Sequence, residues 1–157
     1  MENKLLITGC RSGLGKYLKY KYINSIEISR DTTEKEWEDI KLKGEYTIIH
    51  CAFNGSKPNS PDEINKYLQD NLFLTRRLLE IPHEKFILIS SIDVYPKNNL
   101  YHSEDEYIQI DSVQGLYPLI KYLSESMVKA LSKRFLILRC SAFLGKDARR
   151  NSLIRIF

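Results

Sequence analysis

Tyr117 and Lys121 form the first pair of residues in the chain whose types and spacing could do chemistry. They are four residues apart, so on a helix they would lie on one face, a single turn from each other. A phenol keeps its proton up to a pH of about 10, and a neighbouring ammonium group favours its loss. The pair therefore predicts a tyrosine that gives or takes a proton, with the lysine assisting the transfer.

A glycine-rich segment near the N-terminus is the second candidate. It follows the first apolar run of the chain and opens the first stretch of helical periodicity. Glycines at such a junction allow a tight turn, a close approach of a phosphate to the backbone, and packing of helix on sheet. The N-terminus of the helix then offers N–H groups to an anion. The segment predicts the pyrophosphate site of a dinucleotide, with contacts from Thr8, Gly9, Arg11, Ser12, Gly13, Leu14 and Gly15.

The end of the second predicted strand should contact the adenosine ribose of such a dinucleotide. An acid there binds the ribose hydroxyls of NAD, whereas a cation and hydroxyl donors suit the 2′-phosphate of NADP. Ser29 takes the position of the acid and Arg30 follows it. Because Arg11 could reach the same phosphate, the pattern favours NADP over NAD. A shift of one residue would put Asp31 in the acid's position, so NAD stays open.

Short apolar runs alternate with helical periodicity along the whole chain. Continuous runs of this kind are typical of strands that are buried on both faces of a parallel sheet. Strands are predicted at 4–8, 25–29, 46–50, 85–90 and 135–139, and helices at 14–23, 33–42, 61–80, 117–133 and from about 148. The alternation predicts a doubly wound parallel α/β sheet, with strand order 3-2-1-4-5 and the ligand at the carboxyl ends of the strands.

The composition predicts one soluble domain over residues 1–157, with 43% hydrophobic and 28% charged residues. The net charge of +4 comes from interspersed acids and bases, which argues against nucleic-acid binding. No apolar run is long enough for a membrane span, and no signal peptide precedes the first strand, so a cytoplasmic protein is expected. The spacing of cysteines and histidines fits no metal site.

Three segments of the chain share their spacing and position with a known family. The loop reads Thr-Gly-x-x-x-Gly-x-Gly, the fourth strand ends in Ser90-Ser91-x-x-Val94-Tyr95, and Tyr117 opens the helix before the last strand. Together they resemble the extended short-chain dehydrogenase/reductase family, in its NAD-dependent epimerase/dehydratase branch. The resemblance implies an N-terminal Rossmann domain that binds NADP or NAD.

Weaker matches extend the resemblance over nearly the whole chain. Residues 48–52 are similar to the Val-Ile-His-x-Ala strand of the branch, which lines the cofactor and implies contacts from Cys51 and Ala52. Asn71, with Thr75 four residues later, is similar to an Asn-x-x-x-Thr helix motif and is a further cofactor-binding candidate. The remaining matches are Glu125 and the segment 136–145.

The resemblance implies a catalytic set of Ser91, Tyr117 and Lys121. Ser91 would hydrogen-bond the reacting oxygen, Tyr117 would give or take its proton, and Lys121 would favour the phenolate. Tyr117 and Lys121 would also contact the cofactor near the nicotinamide ribose. The implied activity is that of an NAD(P)-dependent epimerase or reductase, which acts by hydride transfer on a nucleotide sugar. Members of the family commonly pair through the two helices that this sequence predicts at 61–80 and 117–133, which implies a homodimer.

Two departures from the family pattern leave alternatives open. A dehydratase of this branch typically has Thr-Asp-Glu where this chain has Ser91-Ile92-Asp93, so epimerisation or carbonyl reduction is expected before elimination of water. On this resemblance we expect the substrate domain that follows in the branch to be absent or truncated in this chain, and an apolar run lies at 153–157. The alternative function is therefore an NADP(H)-binding module or sensor without turnover.

Overall fold

The computed structural model describes residues 4–98 and 100–141, so the helix expected from about residue 148 lies outside them. In this part of the chain, strands and helices alternate much as predicted. The elements are β1 (Lys4–Thr8), α1 (Gly13–Lys21), β2 (Ile26–Ile28), α2 (Glu34–Leu42), β3 (Tyr46–His50), α3 (Pro61–Leu68), α4 (Leu74–Leu79), β4 (His83–Ser91), α5 (Leu116–Leu131) and β5 (Phe135–Cys140). Single 3₁₀ turns lie at Ile92–Val94 and Ile110–Ser112.

The strands form one parallel sheet in the order β2-β1-β3-β4-β5. The doubly wound parallel architecture is confirmed, but the expected order 3-2-1-4-5 is wrong. β3 pairs with β1, and Thr8 lies opposite His50. The reason is burial: β3 is covered on both sides and needs an interior position, whereas the three-residue β2 is short enough to form an edge. The order therefore reverses between β1 and β3, which is where ligands bind in such sheets.

The helix predicted at 61–80 is interrupted by a π-helical segment, Gln69–Phe73, which joins α3 to α4. This helix begins with a Ser60 cap and a proline in its first turn. Within the segment, the Leu74 N–H reaches back five residues to the Gln69 carbonyl. One extra residue is thereby inserted into the turn, a feature that is frequent at functional sites.

The main hydrophobic core packs helices against the sheet. Its buried side chains come from β1 to β4, from α2, α4 and α5, and from the turn before β4: Leu6, Ile28, Trp37, Ile40, Tyr46, Ile48, Leu78, Ile81, Phe86, Leu88 and Val128. This packing fixes the carboxyl ends of the strands relative to one another. Within residues 4–98 and 100–141, no helix combines the length and the apolar composition that crossing a bilayer requires.

Candidate functional site

A cleft of about 810 Å³ opens at the carboxyl ends of the strands, a volume suited to a small-molecule ligand. It brings together thirteen of the fifteen predicted site residues, from both the glycine-rich loop and the catalytic set. These are Gly9, Arg11, Ser12, Gly13, Leu14, Gly15, Ser29, Arg30, Cys51, Ala52, Ser91, Tyr117 and Lys121. Thr8 and Asn71, also expected to contact the dinucleotide, do not reach the wall of the cleft.

The glycine-rich loop between β1 and α1 has the shape that an anion site requires. Gly9 has a φ of +77°, and a Cβ on it would lie 2.8 Å from the Ala52 nitrogen. A Cβ on Gly15 would lie 2.6 Å from the Gly9 carbonyl carbon, so both positions exclude a side chain. A Cβ on Gly13 would meet no protein atom within 4 Å. With no acid in the first turn of α1, its N-terminus is suited to a pyrophosphate.

Thr8 lies behind the loop in a buried chain of hydrogen bonds that runs through His50. The Ala52 N–H donates to Thr8 Oγ1 at 3.1 Å, and this hydroxyl contacts His50 Nδ1 at 2.8 Å. On the other side of the ring, His50 Nε2 lies 3.0 Å from Thr75 Oγ1, which donates to the Asn71 carbonyl. Because the Thr75 hydroxyl already donates, these contacts assign the ring proton to Nε2 and make Nδ1 the acceptor.

This network predicts a pH dependence of stability. Burial, and then the charge of Lys121, lower the pKa of His50 from 6.5 to about 3. The unfolded chain therefore takes up a proton below about pH 6.5 that the folded chain refuses, and the free energy of unfolding should fall by about 1.4 kcal/mol per pH unit as the pH decreases from there. Urea denaturation at pH 7, 6 and 5 measures the slope.

His50→Gln is the matched variant, because an amide keeps one acceptor and one donor. It should lose stability at pH 7 but show a shallower decline between pH 6.5 and 5. A variant whose stability declines as steeply as that of the parent would contradict a buried neutral His50.

Asn71 fixes the loop that follows β3. Its Oδ1 accepts from the Asn54 N–H at 2.7 Å, and its Nδ2 donates to the Asn54 carbonyl at 3.2 Å. Since Thr8 fixes the Ala52 N–H, both neighbours of Phe53 are restrained by hydrogen bonds. Thr8 and Asn71 thus support the cleft from behind, by positioning backbone.

Phe53 contacts both the predicted proton donor and its lysine, a role that sequence reasoning missed. Its ring lies edge to face with Tyr117 at 5.0 Å, and with Tyr67 at 5.9 Å. The Lys121 ammonium lies 4.2 Å from the ring centroid, within the range of a cation–π contact. The only signal in the sequence was its position directly after the segment 48–52.

The predicted catalytic residues come from two neighbouring elements. Tyr117 in the first turn of α5 is 37% exposed at the cleft, whereas Lys121, one turn later, is 6% exposed and donates from Nζ to the Ile89 carbonyl at 2.7 Å. Ser91 ends β4, and its hydroxyl is 3.2 Å from both the Asp93 carboxylate and the Asp93 N–H. The arrangement presents a phenol, an ammonium group and a hydroxyl to one cleft.

A buried ion pair links α5, which carries Tyr117 and Lys121, to β5. Glu125 on α5 is fully buried and receives hydrogen bonds from Ser90 Oγ and from Arg139 on β5, at 2.8 Å from Nη2. Arg139 also donates from Nη1 to the Tyr95 hydroxyl at 2.9 Å. Burial alone would lower the pKa of Arg139, but the hydrogen bonds with Glu125 and Tyr95 outweigh it and raise that pKa.

The ribose end of the cleft holds two arginines that are each paired with a carboxylate. Arg11 forms an ion pair with Asp31, and Arg30 Nη2 lies 3.1 Å from Asp70 Oδ2. The sequence-based preference for NADP depended on these two guanidinium groups as partners of a 2′-phosphate. Asp70 was not a candidate in the sequence, because no pattern there marks the π-helical segment to which it belongs.

The three cysteines are free thiols in the wall of the cleft. Burial raises the pKa of Cys10 to about 11 and that of Cys51 to about 12, which keeps both thiols neutral. Among the residues that the structure describes, no group of three His, Cys, Asp or Glu side chains could hold a metal ion.

The fold is that of a Rossmann-like domain with its cleft at the topological switch point. Comparison with protein families identifies residues 6–156 with the NAD dependent epimerase/dehydratase family. The chain belongs to this family. No curated protein matches its sequence.

Solved structures show the same fold. MoeE5 in complex with UDP-glucose and NAD superposes with a TM-score of 0.74 at 22% identity, over 97% of this chain and 58% of that one. UDP-glucuronic acid 4-epimerase from Bacillus cereus, with UDP-glucuronic acid and NAD, gives 0.70 at 21% identity, over 95% and 60%. TunA, an NAD dependent NDP-hexosamine 5,6-dehydratase, gives 0.70 at 20%, over 97% and 59%. This chain therefore spans about three fifths of these relatives.

Proposed function

We propose that this chain binds NAD(H) in the cleft and forms the cofactor-binding part of an epimerase or reductase that acts by hydride transfer on a nucleotide sugar. The observation that carries the proposal is that Ser91, Tyr117 and Lys121 line the same cleft as the glycine-rich loop. Membership of the NAD dependent epimerase/dehydratase family supports it, as do relatives solved with NAD and UDP sugars.

Each residue has a role that follows from its position. The N–H groups at the start of α1 bind the pyrophosphate, which a loop without side chains at Gly9 and Gly15 admits. Bound NAD supplies the group that accepts and returns a hydride. Tyr117 moves the proton of the substrate oxygen, and the Lys121 ammonium favours the phenolate. Ser91 donates a hydrogen bond to the same oxygen, for which its hydroxyl turns away from Asp93.

NAD, and not NADP, is the cofactor that we propose. Arg11 and Arg30 are already paired with Asp31 and Asp70, so a 2′-phosphate would meet two carboxylates as well as two guanidinium groups. The ribose hydroxyls of NAD carry no charge and avoid that repulsion. Relatives solved with NAD agree with this assignment.

Titration with NADH and NADPH, followed by nicotinamide fluorescence, tests the proposal. We expect saturable binding of NADH, with a dissociation constant lower than that of NADPH by about threefold or more, since partly exposed ion pairs change affinity modestly. Absence of binding to either dinucleotide would contradict the proposed function.

Two glycine variants test whether NADH binds at the glycine-rich loop. Gly13→Ala adds a methyl group that meets no protein atom but occupies the space of the pyrophosphate, so it should weaken NADH binding. Gly44→Ala is the control, because Gly44 also has a positive φ but does not line the cleft. The control bears the larger backbone cost, because a φ of +114° is less accessible to alanine than one of +55°, and yet only Gly13→Ala should lose affinity.

A binding module or redox sensor without turnover is the second candidate function. The chain spans 58–60% of the relatives named above, so binding and turnover need separate tests. A chain that binds NAD(H) but neither changes absorbance at 340 nm nor interconverts the epimers of any nucleotide sugar would favour the module. Either function is compatible with a single domain over residues 1–157.

We also propose that the chain pairs with a second copy through the helices at 61–80 and 117–133. Ile64 and Phe73 are 41% and 42% exposed on the first of these, and a contact between copies would cover them. Sedimentation velocity measures the oligomeric state, and a monomer at tens of micromolar would contradict this pairing.

A further inference from the structure

Asp70 and Arg30 line the same cleft but come from distant parts of the chain. Arg30 follows β2, whereas Asp70 belongs to the π-helical segment between α3 and α4, forty positions later in the chain. Both residues line the cleft, and Arg30 Nη2 lies 3.1 Å from Asp70 Oδ2. The ion pair therefore links two segments that line the cleft.

The position of the Asp70 carboxylate is fixed by a second contact. Its Oδ2 also accepts from Asn54 Nδ2 at 2.8 Å, and the backbone of Asn54 is bonded to the side chain of Asn71. The Asp70 side chain is 16% exposed and that of Arg30 is 65% exposed. The carboxylate is thus the more buried member of the pair and is held by a second hydrogen bond, whereas the guanidinium group is the more exposed one.

We propose that Asp70 is a specificity-determining residue, which disfavours a 2′-phosphate and so directs the site to NAD(H). The inference rests on the proposed dinucleotide site. A 2′-phosphate would have to draw Arg30 away from Asp70, and it would then lie close to a carboxylate that cannot move aside. The ribose 2′-hydroxyl of NAD is uncharged and can hydrogen-bond to either group, so NAD binding leaves the pair intact.

Asp31 should also disfavour a 2′-phosphate, through its pairing with Arg11, but more weakly than Asp70 does. Their side chains are 76% and 62% exposed, so solvent and salt screen this pair more than the partly buried Asp70. The difference in exposure assigns the larger effect on cofactor preference to Asp70.

Asp70→Asn tests this role, because an amide oxygen can still accept from Asn54 while the charge is removed. We expect the ratio of the NADPH to the NADH dissociation constant to fall about tenfold, since a released guanidinium group can form a charge-assisted bond with the phosphate. This gain in relative NADPH affinity should shrink at high salt. Arg30→Gln in the Asp70→Asn background should remove it, whereas Arg30→Gln alone should change NADPH binding little.

Glu34→Gln is the matched control, because it removes a carboxylate that pairs with Arg77 and does not line the cleft. It should leave the ratio unchanged. An unchanged ratio in Asp70→Asn would overturn the role of Asp70 while leaving the dinucleotide site in place. A parent chain that binds neither dinucleotide would overturn the proposed function, and this inference with it.

Discussion

Replacing Tyr117 by phenylalanine is expected to reduce hydride transfer by about 10²–10⁴-fold, the usual contribution of a positioned acid or base. The variant keeps the ring that packs against Phe53 at 5.0 Å and loses only the hydroxyl. NADH affinity should therefore change by less than about twofold, as expected when an interaction serves only the transition state. Absorbance at 340 nm of the cofactor, followed after addition of nucleotide sugars, gives the rate, and fluorescence titration gives the affinity.

Tyr20→Phe is the matched control for the loss of a phenol. Tyr20 is 86% exposed on α1 and does not line the cleft, so its variant should transfer hydride at the parent rate. A Tyr117→Phe chain that retains full activity would remove Tyr117 from the mechanism. A variant that loses NADH binding in parallel with its activity would instead assign Tyr117 to the cofactor site alone.

Functional residues whose type and spacing fit a regular helix or strand were predictable from the sequence. The spacing of Tyr117 and Lys121 required a helix, and α5 supplies it with both residues at the cleft. The strands were also placed to within two residues at each end, because continuous apolar runs mark strands that are buried on both faces. What these patterns share is that they depend on local periodicity.

The strand order could not be obtained in this way. Apolar character showed that β3 is buried but not which strand it pairs with, because that choice depends on contacts between residues far apart in the chain. Thr8 and His50 are separated by 42 positions, yet their hydrogen bond links β1 to β3 behind the glycine-rich loop.

The sequence-based preference for NADP depended on charges that were considered one residue at a time. Arg11 and Arg30 favoured NADP as isolated cations, but the structure pairs them with carboxylates 20 and 40 positions away. Phe53 was missed for a related reason. Its ring position is fixed by hydrogen bonds to the residues on either side of it, and no periodicity marks a loop residue of that kind.

Removing the Glu125 carboxylate is expected to destabilise the fold strongly. Glu125→Ala should reduce the free energy of unfolding by about 3–5 kcal/mol, because it leaves the Arg139 charge buried without its partner. The Arg139 side chain is 12% exposed and that of Glu125 is fully buried, so water cannot easily replace the lost contact. Ser90 Oγ also loses its acceptor. Urea denaturation at pH 7 measures the change.

Glu84→Gln provides the control, because Glu84 and Arg134 form an exposed ion pair between the same two strand regions, β4 and the start of β5. That variant should lose only about 0–1 kcal/mol, as exposed pairs usually do. Glu125→Leu combined with Arg139→Met should be more stable than Glu125→Ala alone, since apolar replacement removes the stranded charge. If the double variant were no more stable than the single one, the stranded Arg139 charge would not be the source of the cost.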